Sequence, residues 1–245
     1  MGTVSLHVHT SSEALVRAAA DMFVELAEQA VRERGRFTVA LAGGSTPRPL
    51  YAALATPPWS EAVAWERMHL FWGDERPVPP DHPESNYRTV AETLLAGVPV
   101  SPEHVHRVEA ERPPEEAARA YEGELRRHFG LAAGEWPRFD LVLLGLGRDG
   151  HTASLFPHTD VLWEHRRLVA APFVPKLGTH RITITVPTIN HARVIVFLVS
   201  GEAKAEAVAQ AYRGRYEPDE CPAQLIHPRD GELRWLLDEG AAGAL

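Results

Sequence analysis

Leu141-Val-Leu-Leu-Gly-Leu-Gly-Arg-Asp-Gly-His-Thr-Ala-Ser-Leu-Phe-Pro157 decides how this chain is read. An apolar run halts at Gly145 and Gly147, a Gly-Arg-Asp-Gly turn follows, and His151 arrives with Thr152 and Ser154 behind it. A short continuous apolar run bounded by glycines reads as a strand buried on both faces. A polar side chain just past the carboxyl end of such a strand sits where α/β sheets bind their ligands. His151 is the residue expected to carry the chemistry.

Working outward, the same design recurs. Phe37–Leu41 reads as a buried strand ending at Ala42-Gly-Gly-Ser-Thr-Pro47, with Pro47 opening a helix that carries Leu50, Tyr51 and Leu54. Met68–Trp72 is a strand running into Gly73-Asp-Glu-Arg76; Pro77 to Pro83 is a surface loop, and Ser85-Asn86 opens a helix to about Leu95. Before these, Leu6-His7-Val8 is a short strand, and Thr10-Ser-Ser-Glu13 is a capping box in which Thr10 caps a helix running to about Arg34, with Gly35 as its stop. After them come a short strand at His104–Val108, an amphipathic helix over Pro113–Phe129, strands at Leu168–Phe173, Arg181–Val186 and Arg193–Val199, and an alanine-rich helix over Gly201–Tyr212. Beyond Cys221 the pattern holds one short strand and an unassigned terminal segment. This alternation predicts an α/β fold: a mainly parallel, Rossmann-like sheet with helices on both faces. With no linker and no repeat, a single domain over residues 1–245 is expected.

Composition narrows the function. The chain has 245 residues, 44% apolar and 24% charged, and a formal net charge of −8. An acidic chain is a poor general binder of nucleic acid, whose phosphate backbone selects clustered Lys and Arg. A phosphorylated small substrate needs only a few local cations. Lys176 and Lys204 are the only lysines, which draws attention to both, although biased gene composition explains the scarcity equally well. A single cysteine, Cys221, allows no intrachain disulfide and no cysteine metal cluster, and fits a reducing cytoplasm. The first residues lack a basic segment followed by an apolar stretch, so no secretory signal is expected, and no apolar run reaches the roughly 18 residues that a membrane span needs.

Three strand-end loops would converge on one edge of a parallel sheet. Gly43-Gly44-Ser45-Thr46 can bring backbone N–H groups and hydroxyls to an anion, though it also reads as an ordinary strand-to-helix turn; it is no Walker motif, since no lysine follows. In Gly73-Asp74-Glu75-Arg76, Arg76 offers a planar fork to phosphate or carboxylate and Asp74 could accept from sugar hydroxyls, where a solvated loop with a local ion pair is the plainer alternative. Gly145 to Gly150 matches G-x-G-x-x-G, but the next strand ends without the acid that a dinucleotide site requires, so no nicotinamide cofactor is expected. Asp149 could hold the His151 imidazole in one tautomer, as a carboxylate does for a general base. Ser154 is a weak nucleophile candidate, because Gly-His-Thr-Ala-Ser is not the Gly-x-Ser-x-Gly elbow. Lys176 and Arg181 could both reach an anion from the loop and strand around Pro175 to Asn190. His7/His9 and His104/His106 have the i, i+2 spacing that can bind zinc from a strand, but no third or fourth ligand suggests itself; both pairs are read as surface histidines and no metal site is expected.

Taken together, Ala42-Gly-Gly-Ser-Thr-Pro47, Trp72-Gly-Asp-Glu-Arg76 with Val78-Pro79, Ser85-Asn86, Gly145 to Pro157, Lys176 to Asn190 and Gly201-Glu-Ala-Lys-Ala205 resemble the 6-phosphogluconolactonase family, in family order over roughly residues 37–205. Related glucosamine-6-phosphate deaminases usually continue Asp-Gly-His with Ile-Ala-Phe-Asn-Glu, and tend to have an aromatic residue at the position of Arg76; here Thr-Ala-Ser-Leu-Phe and Arg76 favour the lactonases. The resemblance implies a NagB-like fold, no cofactor, a cytoplasmic step of the pentose phosphate pathway, and hydrolysis of 6-phospho-D-glucono-1,5-lactone by a monomer or small homo-oligomer. Carried over by position, it implies His151 as general base. Arg76 and Lys176 would hold the phosphate, with Arg181 nearby, and Asp74 and Asp149 would orient the sugar and the catalytic group.

Overall fold

The computed structural model describes residues 2–245; residue 1 of the expected 1–245 unit lies outside them. In chain order the elements are β1 (Thr3–His9), α1 (Ser12–Arg34), β2 (Phe37–Leu41), α2 (Pro47–Leu54), α3 (Trp59–Ala62), β3 (Met68–Trp72), β4 (Asp74–Glu75), α4 (Asn86–Val90), β5 (Val105–His106), α5 (Pro114–Phe129), β6 (Leu141–Leu144), β7 (Val169–Ala170), β8 (Phe173–Val174), β9 (Thr179–His180), β10 (Ile182–Ile184), α6 (Val186–Asn190), β11 (Val194–Val199), α7 (Ala205–Arg213), β12 (Glu232–Asp238) and α8 (Glu239–Ala242). A π-helical turn over Ala91–Leu95 extends α4, so the helix expected from Ser85-Asn86 to Leu95 is there.

Seven strands form one sheet in the order β1-β12-β11-β6-β2-β3-β5, and every neighbouring pair runs parallel. Burial follows that order. The inner strands β2, β6 and β11 are buried along their whole length, as strands covered by helices on both faces must be, while the edge strands β1 and β5 stay partly open. The chain builds outward through β2, β3 and β5, returns to β6 beside β2, and builds outward the other way through β11 and β12. The direction of winding therefore reverses between β2 and β6. A crevice opens outside the carboxyl ends of the strands at such a reversal. Gly43–Thr46 and Gly145–His151 are the loops that border it.

Asp140 pins this junction. Its carboxylate is 6% exposed and accepts from Thr38 N and Thr38 Oγ1 at 2.8 and 2.9 Å and from Arg34 Nε at 2.9 Å. The end of α1 and the starts of β2 and β6 are thereby held together.

Several expectations need correction. Ser11, not Thr10, caps α1: its backbone is extended and its hydroxyl accepts from Ala14 N. The expected strands at Leu168–Phe173 and Arg181–Val186 are not part of the large sheet. The first breaks in two around Pro172, which has no N–H to donate, giving β7 and β8; the second shortens to β10. The strands β4, β10 and β7 form a small antiparallel sheet, and β8 pairs with β9. The segment past Cys221 supplies β12, an interior strand flanked by β11 and β1. Finally, His104 and His106 are not surface residues. Both are half-buried: His104 packs against His69, His106 packs against His69 and His128, and the His106 side chain is only 10% exposed. Among the described residues no helix is long and apolar enough to cross a membrane.

Candidate active site

The loops at the reversal enclose a cleft of about 420 Å³. Gly43, Gly44, Ser45, Thr46, Asp74, Arg76, Asp149, His151, Lys176 and Arg181 all line it. A larger hollow of about 680 Å³ opens behind Asp149, Phe156 and Lys176, but neither His151 nor the arginines at 76 and 181 line it; those residues gather in the smaller cleft. Five cationic side chains border that cleft against two carboxylates, because Arg148 and Lys204 join the three cations read from the sequence. In a protein of net charge −8 this is a local reversal of sign. A cleft walled by one sign of charge focuses its field on an oppositely charged ligand.

His151 is held from three directions. Its Nδ1 bonds Asp149 Oδ1, its ring stacks on Phe156 with centroids 4.1 Å apart, and Gly147 N donates to its carbonyl at 2.8 Å. A Cβ on Gly147 would lie 2.0 Å from Nδ1, so only glycine leaves room for the ring. Behind it Ala153 takes a left-handed conformation (φ +47°) and Thr152 Oγ1 donates to Gly145 O at 2.8 Å, folding the chain back on itself. Lys176 Nζ donates to the other Asp149 oxygen at 2.7 Å. The bond from His151 and the one from Lys176 hold the Asp149 carboxyl well below the usual carboxylate range, against the opposing effect of burial. An ionised Asp149 accepts only, so Nδ1 carries the hydrogen in the neutral ring and Nε2 is left as a lone pair. Nε2 has no protein partner among the described residues, and the side chain is 29% exposed.

The short antiparallel pairing of β10 with β4 sets the far side of the cleft. Ile182 lies opposite Glu75, so the next positions, Arg181 and Arg76, face each other across the strands. Like charges so placed repel. Burial, and then the Arg76 charge, pull Arg181 below the ordinary arginine value. Each guanidinium donates to a backbone carbonyl, Arg76 to Glu84 O and Arg181 to His180 O, and among the described residues neither has a carboxylate within salt-bridge distance. Two adjacent guanidiniums without a counter-ion form a receptor for an oxyanion. Glu75 fixes this arrangement from below. It is buried, which pushes its carboxyl up, and it accepts from the N–H groups of Arg76, Asn86 and Tyr87 and from Ser85 Oγ.

Asp74 accepts from Ser154 Oγ at 2.6 Å and from Asn86 Nδ2 at 3.3 Å. Ser154 is 1% exposed and committed to that bond, which removes it as a nucleophile. The Asn86 side chain also lies where a Cβ on Gly43 would be, 1.8 Å away, so the first glycine of the loop is needed for this contact. The N–H groups of Gly44 and Ser45 meet no acceptor among the described residues. The Gly147 N–H is taken by the His151 carbonyl and so is not available to an oxyanion. Lys204 was not foreseen in the site. It donates to Leu146 O at 2.7 Å, and burial, followed by the Arg148 charge, lowers its pKa. Its rarity as one of two lysines was the available signal.

Residues 10–235 match the family described as glucosamine-6-phosphate isomerases/6-phosphogluconolactonase. A 6-phosphogluconolactonase of Synechocystis sp. is 47% identical over 214 residues, covering 87% of this chain and 86% of that protein. One from Nostoc sp. is 42% identical over 241 residues, covering 98% and 97%. The solved structure of 6-phosphogluconolactonase from Trypanosoma cruzi superposes with a TM-score of 0.85 at 29% identity, covering 100% of this chain and 98% of that one. The chain belongs to the glucosamine-6-phosphate isomerase/6-phosphogluconolactonase family.

Proposed function

We propose that this protein hydrolyses 6-phospho-D-glucono-1,5-lactone to 6-phospho-D-gluconate, a step of the pentose phosphate pathway, and that residues 1–245 act as one lactonase unit in the cytoplasm. One observation carries the proposal: an imidazole with its Nδ1 tied to an ionised carboxylate and its Nε2 free shares a cleft with two guanidiniums that lack counter-ions.

Arg76 and Arg181 bind the phosphate. Their fork geometry matches its oxygens, and binding energy gathered at this end positions the carbonyl at the other. Lys176 shares the phosphate as expected: one of its three ammonium hydrogens goes to Asp149, and the exposed remainder can meet the anion. His151 Nε2 takes a proton from water as the hydroxide adds to the lactone carbonyl carbon. Asp149 orients the ring and stabilises the imidazolium. The tetrahedral oxyanion is met by the unclaimed N–H groups of Gly44 and Ser45 at the mouth of α2. Collapse breaks the bond to the ring oxygen, which takes the proton back from His151 and becomes a hydroxyl. Asp74, fixed by Ser154 and Asn86, accepts from a sugar hydroxyl.

The test is proton release from freshly prepared lactone with spontaneous hydrolysis subtracted. His151→Ala should lose about 10²–10⁴-fold in kcat with the fold intact by circular dichroism. Turnover near the wild-type rate in that variant removes His151 from the mechanism.

A further inference from the structure

Four histidines gather at the β5 edge of the large sheet, on the first half of β3 and away from the cleft. The pattern that assembles them is a pairing of strand registers. β3 and β5 run parallel with Phe71 opposite His106, which sets His69 beside His104. Alternate residues on a strand share a face, so His69 and Phe71 on β3 meet His104, just before β5, and His106 on it: the first pair is tilted with centroids 4.0 Å apart, the second stacked at 4.3 Å. The last turn of α5 lowers His128 onto this layer, 4.6 Å from His69 and 4.8 Å from His106.

We propose that His69, His106 and His128 form a binding site for a divalent transition metal of the zinc class, outside the active site. One ligand nitrogen from each of the three lies within 4.8 Å of the other two. Tetrahedral coordination with Zn–N bonds of 2.0–2.1 Å needs nitrogens about 3.3 Å apart. His69 Nδ1 and His106 Nε2 are already at 3.2 Å, so the main adjustment is a swing of His128. His128 Nε2 is buried and has no hydrogen-bond partner, the state of a donor atom waiting for a ligand. His106 gives its other nitrogen, Nδ1, to Glu124 Oε1 at 2.8 Å, which is the carboxylate–imidazole arrangement that orients metal-bound histidines. Glu124 sits one turn before His128 on the same helix, so α5 supplies both a ligand and the carboxylate behind another. Neutral imidazole with no thiolate suits zinc, cobalt and nickel over calcium or magnesium. Three protein ligands leave a fourth position for water. The site would tie the end of α5 to the sheet edge.

The experiment uses chelator-treated full-length protein titrated with Co²⁺ and then Zn²⁺, read by visible absorption and by melting temperature. One equivalent of Co²⁺ should give the absorption of a four-coordinate ion, and Zn²⁺ should displace it. Zinc at a hundredfold excess over its Kd should raise the melting temperature by roughly 5–10 °C. His69→Gln with His128→Gln should abolish the stoichiometric site. Glu124→Gln, which leaves all three ligands in place, should weaken it about 10- to 100-fold. His7→Gln with His9→Gln, on the opposite edge strand, should leave it intact, and kcat should be unaffected throughout. Absence of saturable one-to-one uptake by the wild type overturns the proposal, as does uptake that survives in the His69/His128 variant or disappears in the His7/His9 variant. If the double variant does not fold, unchanged affinity in Glu124→Gln overturns it alone.

Discussion

Replacing Gly147 by alanine tests the position of the catalytic base without removing any polar group. The new Cβ would stand 2.0 Å from His151 Nδ1, 2.2 Å from its Cε1 and 2.6 Å from Asp149 Oδ1. Ordinary van der Waals separation is about 3.4 Å, so the ring must retreat by about 1.4 Å. Gly147 is outside the left-handed region, so alanine brings no backbone strain and the effect is confined to this collision. Retreat cannot be taken up by simple rotation, because Phe156 lies against one face of the ring and Asp149 holds its edge. A misplacement of about 1 Å at a reacting group costs on the order of 10²-fold in rate. The expected loss in kcat for Gly147→Ala is therefore about 10²-fold or more, equivalent to about 2.7 kcal/mol. KM should change little, since the arginines are untouched. The assay is initial-rate proton release on fresh lactone, with circular dichroism and melting temperature as controls on the fold. A variant that folds normally and turns over within threefold of wild type would refute the placement of the ring and the role assigned to it.

Three further outcomes follow from the same geometry. Arg181→Ala and Arg76→Ala each remove a charge-assisted contact of about 1.5–3 kcal/mol, so KM for the phosphorylated lactone should rise roughly 10- to 150-fold, while turnover of an unphosphorylated lactone should hardly change; equal effects on both substrates would place the phosphate elsewhere. Asp149 refuses a proton in the folded state at pH values where the unfolded chain accepts one, so it stabilises the fold above the ordinary carboxylate range and that contribution is lost as pH falls toward its lowered folded value. The melting-temperature gap between wild type and Asp149→Asn should accordingly be larger at pH 7 than at pH 3, and a gap that widens on acidification contradicts this sign. Asp140→Ala leaves the Thr38 N–H and hydroxyl buried without their acceptor and frees Arg34, which is 29% exposed and can turn to water; urea unfolding should register a loss of roughly 2–4 kcal/mol with kcat retained.

The elements legible in the sequence were those whose burial is uniform. Phe37–Leu41, Met68–Trp72 and Leu141–Leu144 are covered by helices on both faces, so each appears as an apolar run that glycine ends, and those glycines mark the cleft. The second sheet left no such trace. The strands β4 and β7 have two residues each and β10 has three, too few for a period of two to register. Yet this sheet sets Arg76 against Arg181, so the strongest feature of the anion site depends on the least legible part of the fold. The histidine layer was hidden for a similar reason. His104 and His106 share a strand spacing, but His69 and His128 reach them only through the β3–β5 register and the length of α5, which no local pattern encodes. The hydrogen bond from Lys176 to Asp149 was equally invisible, because it depends on side-chain geometry between residues 27 positions apart.

The family also includes isomerases of aldose phosphates, so the fold does not by itself choose a reaction. The choice turns on which base in the cleft is free. Moving a proton between neighbouring sugar carbons asks for an uncommitted carboxylate, and among the described residues only Asp74 and Asp149 line this cleft as acids. Asp149 has one oxygen on His151 and the other on Lys176. Asp74 has one oxygen on the buried Ser154 hydroxyl at 2.6 Å and the other on Asn86. Lone pairs engaged in these bonds are not free to take a proton from a sugar carbon. The one strong acceptor left unengaged is His151 Nε2, and an imidazole oriented by a carboxylate is suited to taking a proton from water and returning it to an alkoxide leaving group. The residues after His151 produce this distribution. Thr152 turns back onto Gly145, and Ser154 reaches across to occupy Asp74. On the proposed mechanism, the Thr-Ala-Ser segment would favour hydrolysis by restraining the acid that the competing reaction needs.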